Sequence, residues 1–305
     1  MTLKPLTVTI PSRSLSAVNT TVFHVPSTTE KGPLLVFIPG NPGFINYYIT
    51  YLDLLHADYP HLEILGISHA GFSSLHGPDE EIYTLQDQIE HKIHVIKHFI
   101  GGEEDREVLI FGHSVGCYIL QRVIDALKAK YTMYGMITPT VVDIHRSKKG
   151  VMLSAITGMF ESFYYYVGYA GSLVKSLPSN IRDTFIGLAL KDAIPEAKDA
   201  TSTLITEPGF IRQSLGLATE EMKTIRGDWQ YQDHWFSRPG IWAFFAENDH
   251  WVRDDTRLQL VKIMEESGKN AVVDINGDFT HSFCVSKSKE FAELTSKRIS
   301  DITSS

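Results

Sequence analysis

Glu107-Val108-Leu109-Ile110-Phe111-Gly112-His113-Ser114-Val115-Gly116, a short apolar run ending in Gly-x-Ser-x-Gly, is the stretch that decides the fold. The run reads as a buried strand, and Cys117 to Lys130 (CYILQRVIDALKAK) reads as a helix. Strand, tight turn and helix are the context in which a serine is held exposed at the top of a sheet. Side chains at Gly112 or Gly116 would crowd the backbone at such a turn, and His113 is placed to line the site. The helix that follows aims its N-terminal N–H groups at the serine.

Working outward, Leu34 to Ile38 is a second fully apolar run, ending at Pro39-Gly40. His61 to Ile67 and Thr132 to Ile137 are further candidate strands. Continuous apolar runs imply strands covered on both faces, as in a parallel sheet. Between them, Leu85, Ile89, Ile93 and Ile96 recur at helical spacing over Thr84 to Ile100, and Gly101-Gly102 supplies the stop. Strand and helix signals resume at Ile241–Ala246, Arg257–Glu266, Ala271–Ile275 and about Ser286–Ile302. The pattern predicts one α/β domain over 1–305, a doubly wound and mostly parallel sheet. The stretch 139–239 lacks strand patterning and is aromatic-rich. It reads as a helical cap or lid inserted into that domain, since an independent domain would orphan the later strands. The elbow makes this an α/β-hydrolase fold.

Composition sets limits. Of 305 residues, 43% are hydrophobic and 21% charged, with 36 acids against 28 bases giving a net charge of −8. No concentrated basic face suggests nucleic acid. The two cysteines, Cys117 and Cys284, exclude a disulfide framework. Each lies three residues beyond a candidate catalytic residue, so they are expected near one another as small buried apolar groups. No long apolar stretch marks the N-terminus, and Asp-Ile-Thr-Ser-Ser is not a targeting address. No transmembrane span is expected: the nearest approach, Val151 to Leu177, is interrupted by Glu161 and Lys175.

A serine hydroxyl is a weak nucleophile and needs a base, oriented by an acid. On this fold the order is Ser, then Asp or Glu, then His. Asp249 follows the strand Ile241–Ala246 and is the preferred acid; Glu247 and Asp254 are rivals, Asp254 reading as a helix cap. Asp228 reads as a surface charge. His281 follows the last strand and is the final histidine of the chain. For an oxyanion hole, the N–H of Val115 and, from Pro39-Gly40-Asn41-Pro42-Gly43, that of Asn41 are the candidate donors, because Pro42 has none. His91, His94 and His98 share one helical stretch without a carboxylate partner and read as a solvated face. No metal or organic cofactor is called for.

Four stretches together, LVFIPGNPGFINYY, Ser68-His69-Ala70-Gly71, LQDQIEHKIHVIKHFI and FGHSVGCYI, resemble the lipid droplet-associated hydrolase family. The resemblance is dense over the first 150 residues and thins to the acid and histidine loops. It implies residence on lipid droplets with a cytoplasmic pool, and a triad falling on Ser114, Asp249 and His281. It also implies a neutral-lipid ester substrate, triacylglycerol or sterol ester. Phe72 departs from the pattern, standing where a second histidine is expected. Thr138-Pro139-Thr140 and Ser147-Lys148-Lys149-Gly150 are looser versions of the segments that open the insertion. Independently, Phe160, Phe163, Tyr164, Tyr165, Tyr166 and Tyr169 make the Val151–Leu177 segment a candidate contact with a droplet surface, or the roof of an apolar pocket. Two other readings remain: a droplet surface protein whose site is slow or vestigial, and thioester or epoxide chemistry on the same fold. An epoxide hydrolase normally uses an aspartate nucleophile, which counts against the last.

Overall fold

Leu34–Ile38 is apolar throughout because its side chains feed two cores at once. Leu34, Val36 and Ile38 enter one buried cluster and Leu35 and Phe37 another, on opposite faces of the sheet. The same division holds for Ile241, Ala243 and Phe245 against Trp242 and Phe244. A computed structural model describes residues 3–10, 16–102, 105–159, 167, 175–238, 240–267 and 271–303. Its strands are β1 (Leu3–Ile10), β2 (Ser16–Val25), β3 (Leu34–Ile38), β4 (Glu63–Ile67), β5 (Glu107–His113), β6 (Lys130–Ile137), β7 (Ile241–Ala246) and β8 (Val272–Asn276). They form one eight-stranded sheet in the order β1-β2-β4-β3-β5-β6-β7-β8. Pairing is parallel from β4 to β8 and antiparallel at β1–β2 and β2–β4.

The β1–β2 hairpin is an addition to the sequence reading. Leu6, Val8 and Ile10 alternate with Thr7 and Thr9, as suits an edge strand half covered by protein.

Helices α1 (Ile49–Asp58), α2 (Leu85–Ile100) and α3 (Val115–Ala126) connect the first strands. Thr84 and Asp87 form a capping box at the start of α2, and Gly101, at φ +63°, ends it in the left-handed region. His91 on α2 is not on a solvated face: it is fully buried, while His94 is half-buried and His98 exposed. Beside it, Lys92 is also fully buried, its Nζ donating to the carbonyl of Ser68 at 3.0 Å and to His91 Nδ1 at 2.9 Å. Burial pushes the ionisation of both groups toward the neutral form. Phe72 joins a core contact with Phe44 and Phe210, centroids 5.4 and 6.2 Å away, where an imidazole would be set against two apolar rings.

Between β6 and β7 lie α4 (Lys148–Met159), α5 (Ser179–Ala189), α6 (Pro195–Thr206), α7 (Pro208–Thr224) and α8 (Trp229–Phe236), with no strand among the described residues. Helix α7 is fastened to the body: Gln213 accepts from the N–H of Tyr83 at 3.0 Å and donates to its carbonyl at 3.1 Å. Asp228 is more than a surface charge. It pairs with Arg122 at 2.6 Å, and that guanidinium stacks over Tyr118 at 3.3 Å.

Helix α9 (Asp254–Glu266) starts after Arg253, so Asp254 sits in its first turn and pairs with Arg257 at 3.0 Å instead of capping. The final helical stretch is two elements, α10 (Phe283–Ser286) and α11 (Ser288–Thr303). Arg298 of α11 grips Asp274 of β8 through two bonds of 2.7 Å, and Trp242 Nε1 donates to the same carboxylate at 2.8 Å. Burial opposes the Asp274 charge, but these donors outweigh it and hold the carboxyl below its usual range. Asp274→Ala is therefore expected to cost about 3 kcal/mol at neutral pH, because a guanidinium and an indole N–H lose their acceptor. A carboxyl with a depressed folded-state pKa stabilises above its unfolded value, ~4, and that stability is lost as pH falls through the folded value. The wild-type to variant gap in urea unfolding should thus close in acid; a gap constant with pH would contradict the account.

Candidate active site

Ser114 occupies the turn between β5 and α3 at φ +54°, and its N–H donates to the carbonyl of Ile137 at 2.9 Å. A non-glycine residue in this region is strained and persists only where its surroundings enforce it. Here they do. A Cβ on Gly112 would meet the carbonyl carbon and oxygen of Gly116 at 2.7 Å, and one on Gly116 would meet the carbonyl oxygen of Ile38 at 2.3 Å. The turn is thus pressed against the end of β3.

Three side chains from separate loops converge. His281 Nε2 lies 2.9 Å from Ser114 Oγ, and His281 Nδ1 lies 2.8 Å from Asp249 Oδ2. A carboxylate only accepts, so Nδ1 carries the proton and Nε2 is left to accept from the serine hydroxyl. Asp249 Oδ1 accepts from the N–H groups of Trp251 at 2.7 Å and Val252 at 3.2 Å. Burial opposes the charge on Asp249, yet the adjacent imidazole and these donors hold its carboxyl below the usual range. The rival Glu247 is exposed, and Asp254 faces solvent beside Arg257. Ser114 itself is 8% exposed and lines a pocket of about 340 Å³.

The N–H groups of Asn41 and Val115 donate to no protein acceptor among the described residues. The Asn41 loop lies against the serine: a Cβ on Gly40 would come within 3.0 Å of Ser114 Cβ. Val115 opens α3, whose free N-terminal N–H groups favour negative charge. Both ring nitrogens of His113 are taken by groups other than the serine hydroxyl. Its Nε2 donates to the carbonyl of His281 at 2.7 Å, and its Nδ1 accepts from Tyr48 Oη at 2.8 Å, which in turn accepts from the N–H of Gly40 at 3.2 Å. Burial, reinforced by the neighbouring imidazole, pushes the His113 pKa down to about 3, so it serves as a neutral strut.

Several pocket residues carried no signal in the sequence. Lys149, Ser214, Glu221 and Trp251 line the pocket, and Tyr48 supports it through His113; each depends on partners far along the chain. The cysteines do not meet as expected. Cys117 lies in the cluster under α2 and α3, donating to the carbonyl of Gly112 at 3.0 Å, while Cys284 lies in the cluster on the other face. Among the described residues no group of three or more His, Cys, Asp or Glu side chains is placed to hold a metal ion, and no helix is long and apolar enough to cross a membrane.

Comparison with known proteins now decides the family. The family model described as lipid-droplet associated hydrolase matches residues 31–284. The chain belongs to the lipid-droplet associated hydrolase family. Relatives bearing that name include the Homo sapiens protein, 23% identical over 301 residues, covering 92% of this chain and 89% of that one. The Mus musculus protein is 25% identical over 304 residues with the same coverage. The Gallus gallus match, 25% identical over 210 residues, covers 63% of this chain and 62% of that protein. Among solved structures, a thermophilic esterase from Thermogutta terrifontis superposes with a TM-score of 0.65 at 10% identity, covering 98% and 99% of the two chains. A haloalkane dehalogenase from Bradyrhizobium elkani gives 0.69 at 12% identity, covering 99% of each. These establish the α/β-hydrolase fold of this lipid-droplet associated hydrolase family member. A dehalogenase and an esterase on one scaffold also show that the reaction must be argued from the site.

Proposed function

We propose that this family member is a serine hydrolase of carboxylic esters of neutral lipids, triacylglycerol or sterol ester, acting at lipid droplets with a cytoplasmic pool. The observation that carries the reading is the relay from Ser114 Oγ through His281 to Asp249, with links of 2.9 and 2.8 Å. Ser114 attacks the ester carbonyl carbon while His281 Nε2 takes its proton. The N–H groups of Asn41 and Val115 hold the oxygen that becomes negative. Collapse breaks the bond to the alcohol, which leaves with the proton from His281, and the acyl group stays on Ser114. Water, deprotonated by His281, then releases the carboxylic acid and restores the serine. The chain supplies every proton acceptor and donor, so no metal or organic cofactor is required.

Substrate class rests on the pocket and on the exposed apolar surface. Ile144, Met152, Leu153, Leu215, Ala218 and Trp251 make the pocket walls mostly apolar. Its volume of about 340 Å³ suits one acyl arm rather than a whole lipid. The helices within 139–239 act as a cap on a single α/β-hydrolase domain. On the Val151–Leu177 segment, Val151 and Met152 are each 58% exposed; its aromatic residues Phe160, Phe163, Tyr164, Tyr165, Tyr166 and Tyr169 lie outside the described residues. Just beyond it, Phe185 and Leu188 are 64% and 74% exposed, one helical turn apart on α5. That face favours contact with lipid whether or not turnover is fast, and it also supports a second reading as a droplet surface protein with a slow site.

A fluorophosphonate probe separates the two. Wild type is expected to label and Ser114→Ala to lose labelling entirely; an unlabelled wild type would favour the second reading. Rates on triacylglycerol, sterol ester and a short-chain ester then rank the substrates.

A further inference from the structure

Asn41 is held from above. Its side-chain Nδ2 donates to the carbonyl of Ser214 at 2.9 Å and to Glu221 Oε1 at 3.0 Å. Both acceptors belong to α7, the helix fastened to the body through Gln213 and Tyr83. Glu221 is 4% exposed and lines the Ser114 pocket together with Leu215 and Ala218 of the same helix. Burial and the Asn41 bond are the influences on its charge, with no cation beside it among the described residues, so a carboxyl here carries a desolvation cost that an apolar side chain would avoid. Retaining a costly polar group beside a reacting centre is the usual sign of function taking precedence over stability.

We propose that Glu221 is a positioning residue: by fixing the Asn41 side chain against α7 it holds the Asn41 N–H where the oxyanion forms. The inference rests on the hydrolase reading above, in which that N–H is a donor. Asn41 follows Gly40, which lies against the serine, so tying its side chain to α7 restrains the loop backbone that carries the N–H. Glu221 does this as a neutral acid. An ionised carboxylate lining the same pocket and bonded to Asn41 would oppose the charge developing on the oxyanion. Burial, partly offset by the Asn41 bond, raises its pKa to about 7, so the neutral form dominates below that value and the charged form above it. The other titratable groups lining the pocket are Lys149 from α4 and His113 and His281 from its floor. No charged side chain of α2, α6 or the Ile144–Arg146 turn lines it.

The test uses the full chain as wild type, Glu221→Gln and Glu221→Leu, assayed on a soluble short-chain ester across pH and melted thermally. Gln keeps the acceptor for Asn41 and cannot ionise; Leu removes the acceptor. Glu221→Leu is expected to lower kcat on the order of ten- to a hundredfold with KM nearly unchanged, as for a displaced oxyanion donor. Its Tm should be equal to or above that of wild type, which a merely structural residue would not show. Glu221→Gln should match wild type in acid and lack the wild-type fall in kcat as pH rises through about 7. Unchanged kcat in Glu221→Leu, an effect on KM alone, or equal losses in both variants would overturn the proposal. A wild type that neither labels with fluorophosphonate nor turns over would sink the hydrolase reading instead. In that case the crystal structure of Glu221→Leu decides: Asn41 still seated on Ser214 overturns the positioning role, and Asn41 released upholds it.

Discussion

Asp249→Asn is expected to lower kcat by about four orders of magnitude while leaving the fold and KM nearly intact. The size of the effect follows from how Asp249 is held. Its Oδ1 accepts from the N–H groups of Trp251 and Val252, at 2.7 and 3.2 Å. An asparagine must keep its one oxygen on those two donors. Its NH2 group then replaces Oδ2 and points at His281 Nδ1. Two donors cannot face each other, so the imidazole gives up the Nδ1 proton and carries it on Nε2, opposite Ser114 Oγ. In that tautomer Nε2 cannot accept the serine proton, and the nucleophile is idle although every heavy atom is in place. In wild type the carboxyl is held below its usual range and stays ionised through the neutral region, so its own titration should not change the size of the deficit there. Steady-state rates on a soluble ester, with the fluorophosphonate labelling rate as a second reading, check this. A loss of less than tenfold would remove Asp249 from the assignment and reopen the case for Glu247.

Gly116→Ala should damage stability and activity together. The added methyl would sit 2.3 Å from the carbonyl oxygen of Ile38 and 2.6 Å from that of Pro39. Both are backbone atoms, and Ile38 lies at the fully buried end of a central strand, so neither side yields without moving the sheet. Overpacking of this kind costs roughly 3 kcal/mol. At about 2–4 °C per kcal/mol for a domain approaching this size, Tm falls by roughly 6–12 °C. Whatever relieves the clash moves Pro39 and the Asn41 loop relative to Ser114, so kcat should drop about a hundredfold even well below the melting range. Gly187→Ala is the control. That glycine lies within α5, where an added Cβ would meet nothing within 4 Å beyond its chain neighbours and its own helix backbone, and the substitution should gain up to about 1 kcal/mol. Equal behaviour of the two variants in thermal melts would contradict the packing argument.

What was legible in the sequence follows from what sequence patterns encode. Strands buried on both faces show as unbroken apolar runs, so the parallel heart of the sheet and the serine turn stood out. The edge hairpin did not, because Thr7, Thr9, Asn19 and Thr21 interleave its apolar residues and the signal is weak beside the buried runs. The α2 stop at Gly101-Gly102 was readable from local chemistry alone. The burial of His91 and Lys92 was not, since a polar residue at helical spacing is ordinarily counted as outward. Chain order and position singled out Ser114, Asp249 and His281, which the structure brings together. Glu221 had no such help: it sits beside Glu220, and only a partner 180 residues away distinguishes the buried one from its half-buried neighbour. Tyr48 lay inside a stretch already noted, yet its partner on β5 is 65 residues off.

The strut from Gly40 through Tyr48 and His113 to the carbonyl of His281 ties together residues drawn from the opening, the middle and the close of the chain. Serine reactivity is consequently a whole-molecule property. Under the proposed mechanism, a ribosome that has released only the first two-thirds of this protein has made a nucleophile with no base, and nothing can be hydrolysed until the segment that carries His281 has folded onto the sheet.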